Sequence, residues 1–207
     1  VSAVPRLYAI ADESALAPLA LADAVARLAA AGVRWIQLRA KDLADDRFLA
    51  QAEAAVSIAT EHGARLWIND RVDIAALAGA TGLHLGQRDL APRDARRLLA
   101  GDTAIGVSTH TRAQIEQAAG DPAVDVVAVG PIYATTSKLD TSPVVGLELL
   151  AWARLATTKP LVAIGGINAG NAAAVLDAGA DTVAVLGALG RASLEESARA
   201  LLSAVGR

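Results

Sequence analysis

The sequence predicts an α/β fold, a single (β/α)8 TIM barrel over residues 1–207, on three observations. Short β-branched runs alternate with longer Ala/Leu-rich amphipathic stretches from end to end. Eight such units fit into 207 residues, close to the lower size limit of about 200 for a closed barrel. Runs such as VVAV and LVAI are apolar at every position, as parallel strands buried on both faces are. No linker, low-complexity tract or shift of composition marks a second domain. A doubly wound open sheet would carry a glycine-rich fingerprint after its first strand, and Ala11–Asp12–Glu13–Ser14 is not one.

The elements follow in order. RLYAIAD (6–12) is the first strand, and LAPLALADAVARLAAAG (16–32) a helix stopped by its terminal glycine. VRWIQLRA (33–40) is strand two, and Asp45 is the expected cap of a long helix running to His62–Gly63. ARLWIND (64–70), a short helix over 72–77 and TGLHLG (81–86) come next. APRDARRLLA (91–100) opens as a helix with Pro92 in its first turn. TAIGVST (103–109), a helix over 112–119 and VDVVAVG (124–130) lead to a polar loop, ATTSKLDTSP (134–143). A helix over 147–156, PLVAIGG (160–166), a helix over 171–178, DTVAVLG (181–187) and a last helix over 194–205 complete the pattern.

Composition narrows the function. The chain has no Cys, which excludes disulfide frameworks, thiolate zinc sites, iron–sulfur clusters and cysteine nucleophiles. A formal charge of −3 gives no footprint for nucleic acid, and 3% aromatic residues argue against base stacking. No apolar run approaches the roughly 18 residues that span a bilayer, so membranes are not expected partners. The opening residues show no basic region followed by a long apolar stretch, so the cytoplasm is the expected compartment. Small molecules are the expected partners, and a homodimer the expected association.

Barrel chemistry sits at the C-terminal ends of the strands, and the polar residues fall there. Strand two ends in Gln37–Leu38–Arg39–Ala40–Lys41, whose period-two alternation places an amide and two cations on one side. Strand three ends in Asn69–Asp70, and the loop after strand four carries Asp89. Two carboxylates beside an Arg/Lys cluster suit Mg²⁺ holding a diphosphate, since Mg²⁺ is commonly bound by one or two carboxylates with phosphate oxygens and water. Taken singly, each reads better as structural, Asp70 capping the short helix after it and Asp89 opening the next turn; taken as a pair with Arg39 and Lys41, they do not. Gly165–Gly166 after strand seven and Leu186–Gly187 after strand eight match the phosphate site of many barrels. Of the histidines, His110 is read as a local hydrogen-bonding residue, with an acid/base group as its alternative, His84 as a core residue and His62 as a partner for a helix C-terminus. Their spacing makes no zinc site.

QLRAK (37–41), IND (68–70), HLGQRDL (84–90), IGVSTH (105–110), GPIYATTSK (130–138) and AIGGI (163–167) stand in an order and spacing that resembles the thiamine phosphate synthase family. The resemblance covers essentially the whole chain. It implies a transferase that joins hydroxymethylpyrimidine diphosphate to a thiazole phosphate, or its carboxylated form, with release of diphosphate. It implies that Gln37, Arg39, Lys41, Asn69, Ser108 and Lys138 contact the pyrimidine diphosphate, with Arg39, Lys41, Ser108 and Lys138 as the catalytic set. Asp70 and Asp89 would hold Mg²⁺. Thr135, Thr136, Ser137, Gly165, Gly166, Leu186 and Gly187 would hold the thiazole phosphate. The implied chemistry is dissociative: diphosphate leaves first, and the thiazole nitrogen captures a pyrimidine-stabilised cation. Such a step needs charge stabilisation and positioning rather than a strong base.

Three residues depart from the family pattern. Ala134 and Ser137 replace a usual Pro and Thr, and Gly187 stands where a Ser is frequent, removing one side-chain donor. Alternative readings are a thiazole tautomerase of the same superfamily, a phosphosugar isomerase or aldolase barrel, and a non-catalytic binder of thiamine precursors. The tautomerase would need neither the second carboxylate nor the full Arg39, Lys41 and Lys138 set.

Overall fold

Eight parallel strands close on themselves in chain order, β1 pairing with β2 on one side and with β8 on the other. The computed structural model describes residues 4–135, 143–190 and 194–206. The first half runs β1 (Leu7–Asp12), α1 (Glu13–Leu16), α2 (Leu21–Ala30), β2 (Trp35–Arg39), α3 (Asp45–Glu61), β3 (Arg65–Asn69), α4 (Val72–Ala78) and β4 (Gly82–Leu85). The second half runs α5 (Pro92–Ala95), β5 (Ala104–Thr109), α6 (Arg112–Gly120), β6 (Val126–Val129), α7 (Gly146–Ala156), β7 (Leu161–Ile164), α8 (Ala172–Asp177), β8 (Thr182–Val185), a single 3₁₀ turn (Gly187–Leu189) and α9 (Leu194–Val205). The predicted (β/α)8 architecture is therefore the observed one.

Alternation along each strand splits the apolar residues into two layers. Outward residues such as Leu7, Ile36, Leu38, Ile68, Leu83 and Ile105 pack under the helices. Inward residues Tyr8, Ile10, Trp35, Trp67, Val126, Ala128, Val162 and Ala184 fill the barrel. Tyr8, Trp35 and Trp67 form an aromatic trio, with ring centroids 5.0–5.6 Å apart. Room for it comes from glycine on the facing strand. A Cβ on Gly82 would lie 2.2 Å from the Trp67 ring. The polar residues of the site stand above this floor.

Three elements differ from the sequence expectation. The first predicted helix, over 16–32, begins only at Leu21 as α2, and a separate turn, α1, precedes it, with Pro18, which has no N–H to donate to a helical ladder, between the two. Asp45 does not cap α3: Ala44 holds that position without a side-chain bond, and Asp45 pairs instead with Arg71. The predicted helix over 91–100 is regular for one turn only, as α5. Arg96 there turns to the barrel base and donates to Ala123 O at 3.1 Å and to Asp125 at 2.6 Å. Asp125 in turn accepts from the Ile105 N–H at 2.8 Å. Tertiary pairing outweighs the helical preference of this Ala/Leu/Arg stretch. His62 behaves as expected, its Nδ1 lying 2.9 Å from the Ile58 carbonyl at the end of α3.

Candidate active site

The C-terminal strand ends hold two adjoining cavities. The narrow one lies inside the barrel, with Gln37, Arg39, Asn69, His84 and Ser108 of β2 to β5 on one side, Tyr8 and Ile10 of β1 beside them, and apolar residues of β6 to β8 opposite. The wider one, about 430 Å³, is bordered by Ser108, His110, Thr135, Gly165, Gly166 and Gly187, from β5 to β8. Ser108 lines both.

In the narrow cavity Gln37 and Arg39 are each held by a residue of β1. Gln37 donates from Nε2 to Tyr8 Oη at 2.6 Å, inside the barrel. Full burial pushes the Tyr8 hydroxyl up, so it stays a neutral phenol and fixes one end of the amide. Arg39 rests its guanidinium on the carboxylate of Asp12, which is 3% exposed. Burial pushes the Asp12 carboxyl up, but Ser14, Arg39 and the Ala15 N–H outweigh it and hold it below the usual carboxylate range. Ser14 Oγ donates to Asp12 Oδ1 at 2.7 Å and Ala15 N–H at 3.0 Å. A buried guanidinium is thus retained with its counter-ion in place.

At the rim, Lys41 is paired with Asp70. Asp70 has φ of 62°, the one non-glycine at positive φ among the described residues, a conformation Asp tolerates better than most residues. The alternative role of Asp70 as helix cap is not what the structure shows: Arg71 is the N-cap of α4, and the Asp70 carboxylate faces Lys41 and Asp89. Asp89 accepts from the Gly86 N–H at 2.6 Å and meets Asp70 in a carboxyl–carboxyl hydrogen bond. Burial and then the neighbouring Asp70 push Asp89 up. Burial works on Asp70 in the same sense, but Lys41 and the Asp89 hydrogen bond overcome it and hold Asp70 down. The two carboxyl groups therefore titrate as a pair, Asp70 held down and Asp89 pushed up.

This donor set suits a hard divalent cation. Two carboxyl groups face each other at the rim, each working against the charge of the other, and a cation between them would relieve that repulsion. Among the described residues no group of three or more His, Asp or Glu could hold a metal. Two protein oxygens, with ligand and water oxygens completing the shell, match the habit of Mg²⁺ and not that of zinc.

The wider cavity is shaped by glycine. Gly165 and Gly166 have φ of 105° and 66°, and a Cβ on either would strike the loop after β6, at 2.5 Å from Pro131 and 2.6 Å from the Ala134 carbonyl. The glycine pair thus admits that loop. Gly187 opens the 3₁₀ turn and shares the cavity border with Leu186. His110 is anchored, with Nδ1 2.6 Å from the Gly130 carbonyl and its N–H donating to Gln114 at 2.7 Å. That is the local hydrogen-bonding role expected of it.

The structure thus brings Gln37, Arg39, Asn69 and Ser108 around one cavity, Lys41, Asp70 and Asp89 to its rim, and Thr135, Gly165, Gly166, Leu186 and Gly187 around the other. Thr136, Ser137 and Lys138 lie outside the described residues. Two residues of the site were not expected. Asp12 shares its strand face with Tyr8 and Ile10, so period two already aims it inward. His84, read as core, borders the narrow cavity with Nε2 2.8 Å from Ser108 Oγ. It lies between outward Leu83 and Leu85, and that alternation was the available signal.

The thiamine monophosphate synthase family model matches residues 7–189. The chain belongs to this family. It is 49% identical over 184 residues to a thiamine-phosphate synthase of Albidiferax ferrireducens, covering 89% of this chain and 84% of that one. It is 45% identical to the thiamine-phosphate synthase of Methanoculleus marisnigri, covering 94% and 92% of the two chains. Among solved structures, a thiamine phosphate pyrophosphorylase from Pyrococcus furiosus superposes with a TM-score of 0.86 at 28% identity, covering 97% of this chain and 95% of that one. Membership of the family makes the chain an enzyme, a transferase.

Proposed function

We propose that the chain joins 4-amino-2-methyl-5-(diphosphooxymethyl)pyrimidine to a thiazole phosphate, giving thiamine phosphate and diphosphate. The observation that carries the reading is the Asp70–Asp89 pair beside Lys41 and Arg39, at the rim of a narrow cavity that adjoins a wider, glycine-lined one. Diphosphate chemistry explains this clustering, because the leaving group carries charge that must be matched on several sides at once. The tautomerase handles no diphosphate and has no use for it, and a single-turnover assay with both substrates separates coupling from mere binding.

In this reading the narrow cavity takes the pyrimidine and the wider one the thiazole. Gln37 and Asn69 offer neutral hydrogen bonds to an aminopyrimidine ring. Arg39, Lys41 and Ser108 face the diphosphate, with Lys138 joining them from the loop after β6. Asp70 and Asp89 would hold Mg²⁺, which neutralises the departing diphosphate when bound. The pyrimidine diphosphate ionises first, and the cation is retained until the thiazole nitrogen reaches it. Thr135, Thr136 and Ser137, with backbone N–H groups at Gly165, Gly166, Leu186 and Gly187, hold the thiazole phosphate, so that positioning supplies much of the rate. No described helix is long and apolar enough to cross a membrane. We take residues 1–207 to act as one barrel domain, in the cytoplasm, on soluble precursors.

Incubation of the purified protein with both phosphorylated precursors and Mg²⁺, with product detected by mass, tests the proposal. Appearance of thiamine phosphate supports it. A change confined to the thiazole, without coupling, would replace it by the tautomerase reading.

A further inference from the structure

The contact between His84 and Ser108 has no place in the mechanism so far, yet several features converge on it. His84 is 9% exposed and projects from β4 into the barrel, with Nε2 2.8 Å from Ser108 Oγ. Gly106, on β5 and opposite His84 in register, makes room for the ring: a Cβ there would lie 2.9 Å from His84 Nδ1. The Ser108 carbonyl is held as well, accepting from Gln87 Nε2 at 2.7 Å. Of the residues that line both cavities, Ser108 alone carries a polar side chain, the others being Ile10, Ala128, Ile164 and Ala184, so its hydroxyl stands where the two substrates of the proposed reaction would meet.

A hydroxyl has one proton to give. If Ser108 spent it on His84, the serine oxygen would face the departing diphosphate with lone pairs alone and could not donate to the charge that builds there. If His84 gives a proton instead, the serine O–H is turned to the ligand and donates to it. We propose that His84 is a positioning residue that donates from Nε2–H to Ser108 Oγ and so directs the Ser108 proton at the diphosphate leaving group. Gly106 is glycine so that the imidazole can stand there. The inference rests on the reaction proposed above and adds a residue that acts through Ser108 without touching substrate.

A double-mutant cycle tests it. In a wild-type protein that couples the two precursors, Ser108→Ala and His84→Phe are each expected to lower kcat about tenfold, the scale of one hydrogen bond to a charged group, with KM for both substrates within about twofold. His84→Phe in the Ser108→Ala background is expected to cost nothing more. His84→Gln, whose amide can donate from a similar place, recovers most of kcat. Equal losses in both backgrounds, or no recovery with Gln, would overturn the inference and assign His84 to structure or to the nearby Asp70. Should His84→Phe not fold, Gly106→Ala serves in the same cycle: it displaces the ring and keeps every donor, and its loss must likewise vanish without the Ser108 hydroxyl. A wild type that fails to couple at all would instead remove the reaction on which the inference stands.

Discussion

Arg39 and Asp12 are register partners across β1 and β2, and the guanidinium of one rests on the carboxylate of the other with side-chain exposures of 16% and 5%. Breaking such a pair from one side leaves a charge without its counter-ion, at a cost of about 3–5 kcal/mol. Asp12→Ala is therefore expected to lower the melting temperature and the coupling rate together. Inorganic diphosphate, offered as a substitute counter-ion, is expected to raise the melting temperature of the variant more than that of wild type. The Asp12 carboxyl is held low in the folded state, so its contribution is complete above the unfolded value of about 3.9 and is lost as pH falls through the lower folded value. The stability gap between wild type and Asp12→Asn is accordingly full at neutral pH and closes in acid, measurable by urea titration across that range.

Asp89→Asn removes one of two carboxyl groups that press on each other. Without metal, the variant is expected to melt no lower than wild type. With Mg²⁺ it is expected to lose the upward shift that wild type shows. Its coupling rate is expected to fall at least ~100-fold, the scale of one deleted electrostatic contact in the transition state, with partial recovery at raised Mg²⁺. Full activity of Asp89→Asn, or undiminished wild-type turnover in excess chelator, would remove the metal–diphosphate site.

Gly187→Ser restores a hydroxyl at the border of the wider cavity. A new charge-assisted bond to phosphate stabilises by roughly 1–2 kcal/mol, so KM for the thiazole is expected to fall several-fold while KM for the pyrimidine stays put. Steady-state kinetics with each substrate varied separately decides it, and an unchanged thiazole KM in a folded variant counts against the role given to Gly187.

Gly82→Ala would drive its methyl to 2.2 Å from the Trp67 ring, whereas a Cβ on Gly101 meets nothing within 4 Å. Overpacking of this severity costs about 3 kcal/mol or more. Denaturant unfolding should show Gly82→Ala strongly destabilised and Gly101→Ala near wild type.

The barrel could be read from the chain because parallel strands covered on both faces leave an unbroken apolar signature, as in 126–129 and 161–164. Lys41, Asp70 and Asp89, which the fold brings together, could be singled out only as a group, because each Asp alone passes for a cap or a turn residue. Asp12 and His84 were harder, since each depends on a partner 27 or 24 residues away in sequence, Arg39 and Ser108. The shortness of α5 was hidden for the same reason: the carboxylate that draws Arg96 away, Asp125, is 29 residues further on. Local propensity carries no trace of such distant partners.

The aromatic floor makes the protein its own optical gauge. Two of the three tryptophans, Trp35 and Trp67, stand inside the barrel against Tyr8, and the Tyr8 hydroxyl bonds the very amide that borders the narrow cavity. The third, Trp152, sits on α7 beneath Arg112 and is remote from that chain of contacts. A ligand that takes hold of Gln37 thus disturbs two indoles at once, and intrinsic emission reports occupancy of the narrow cavity without any attached dye.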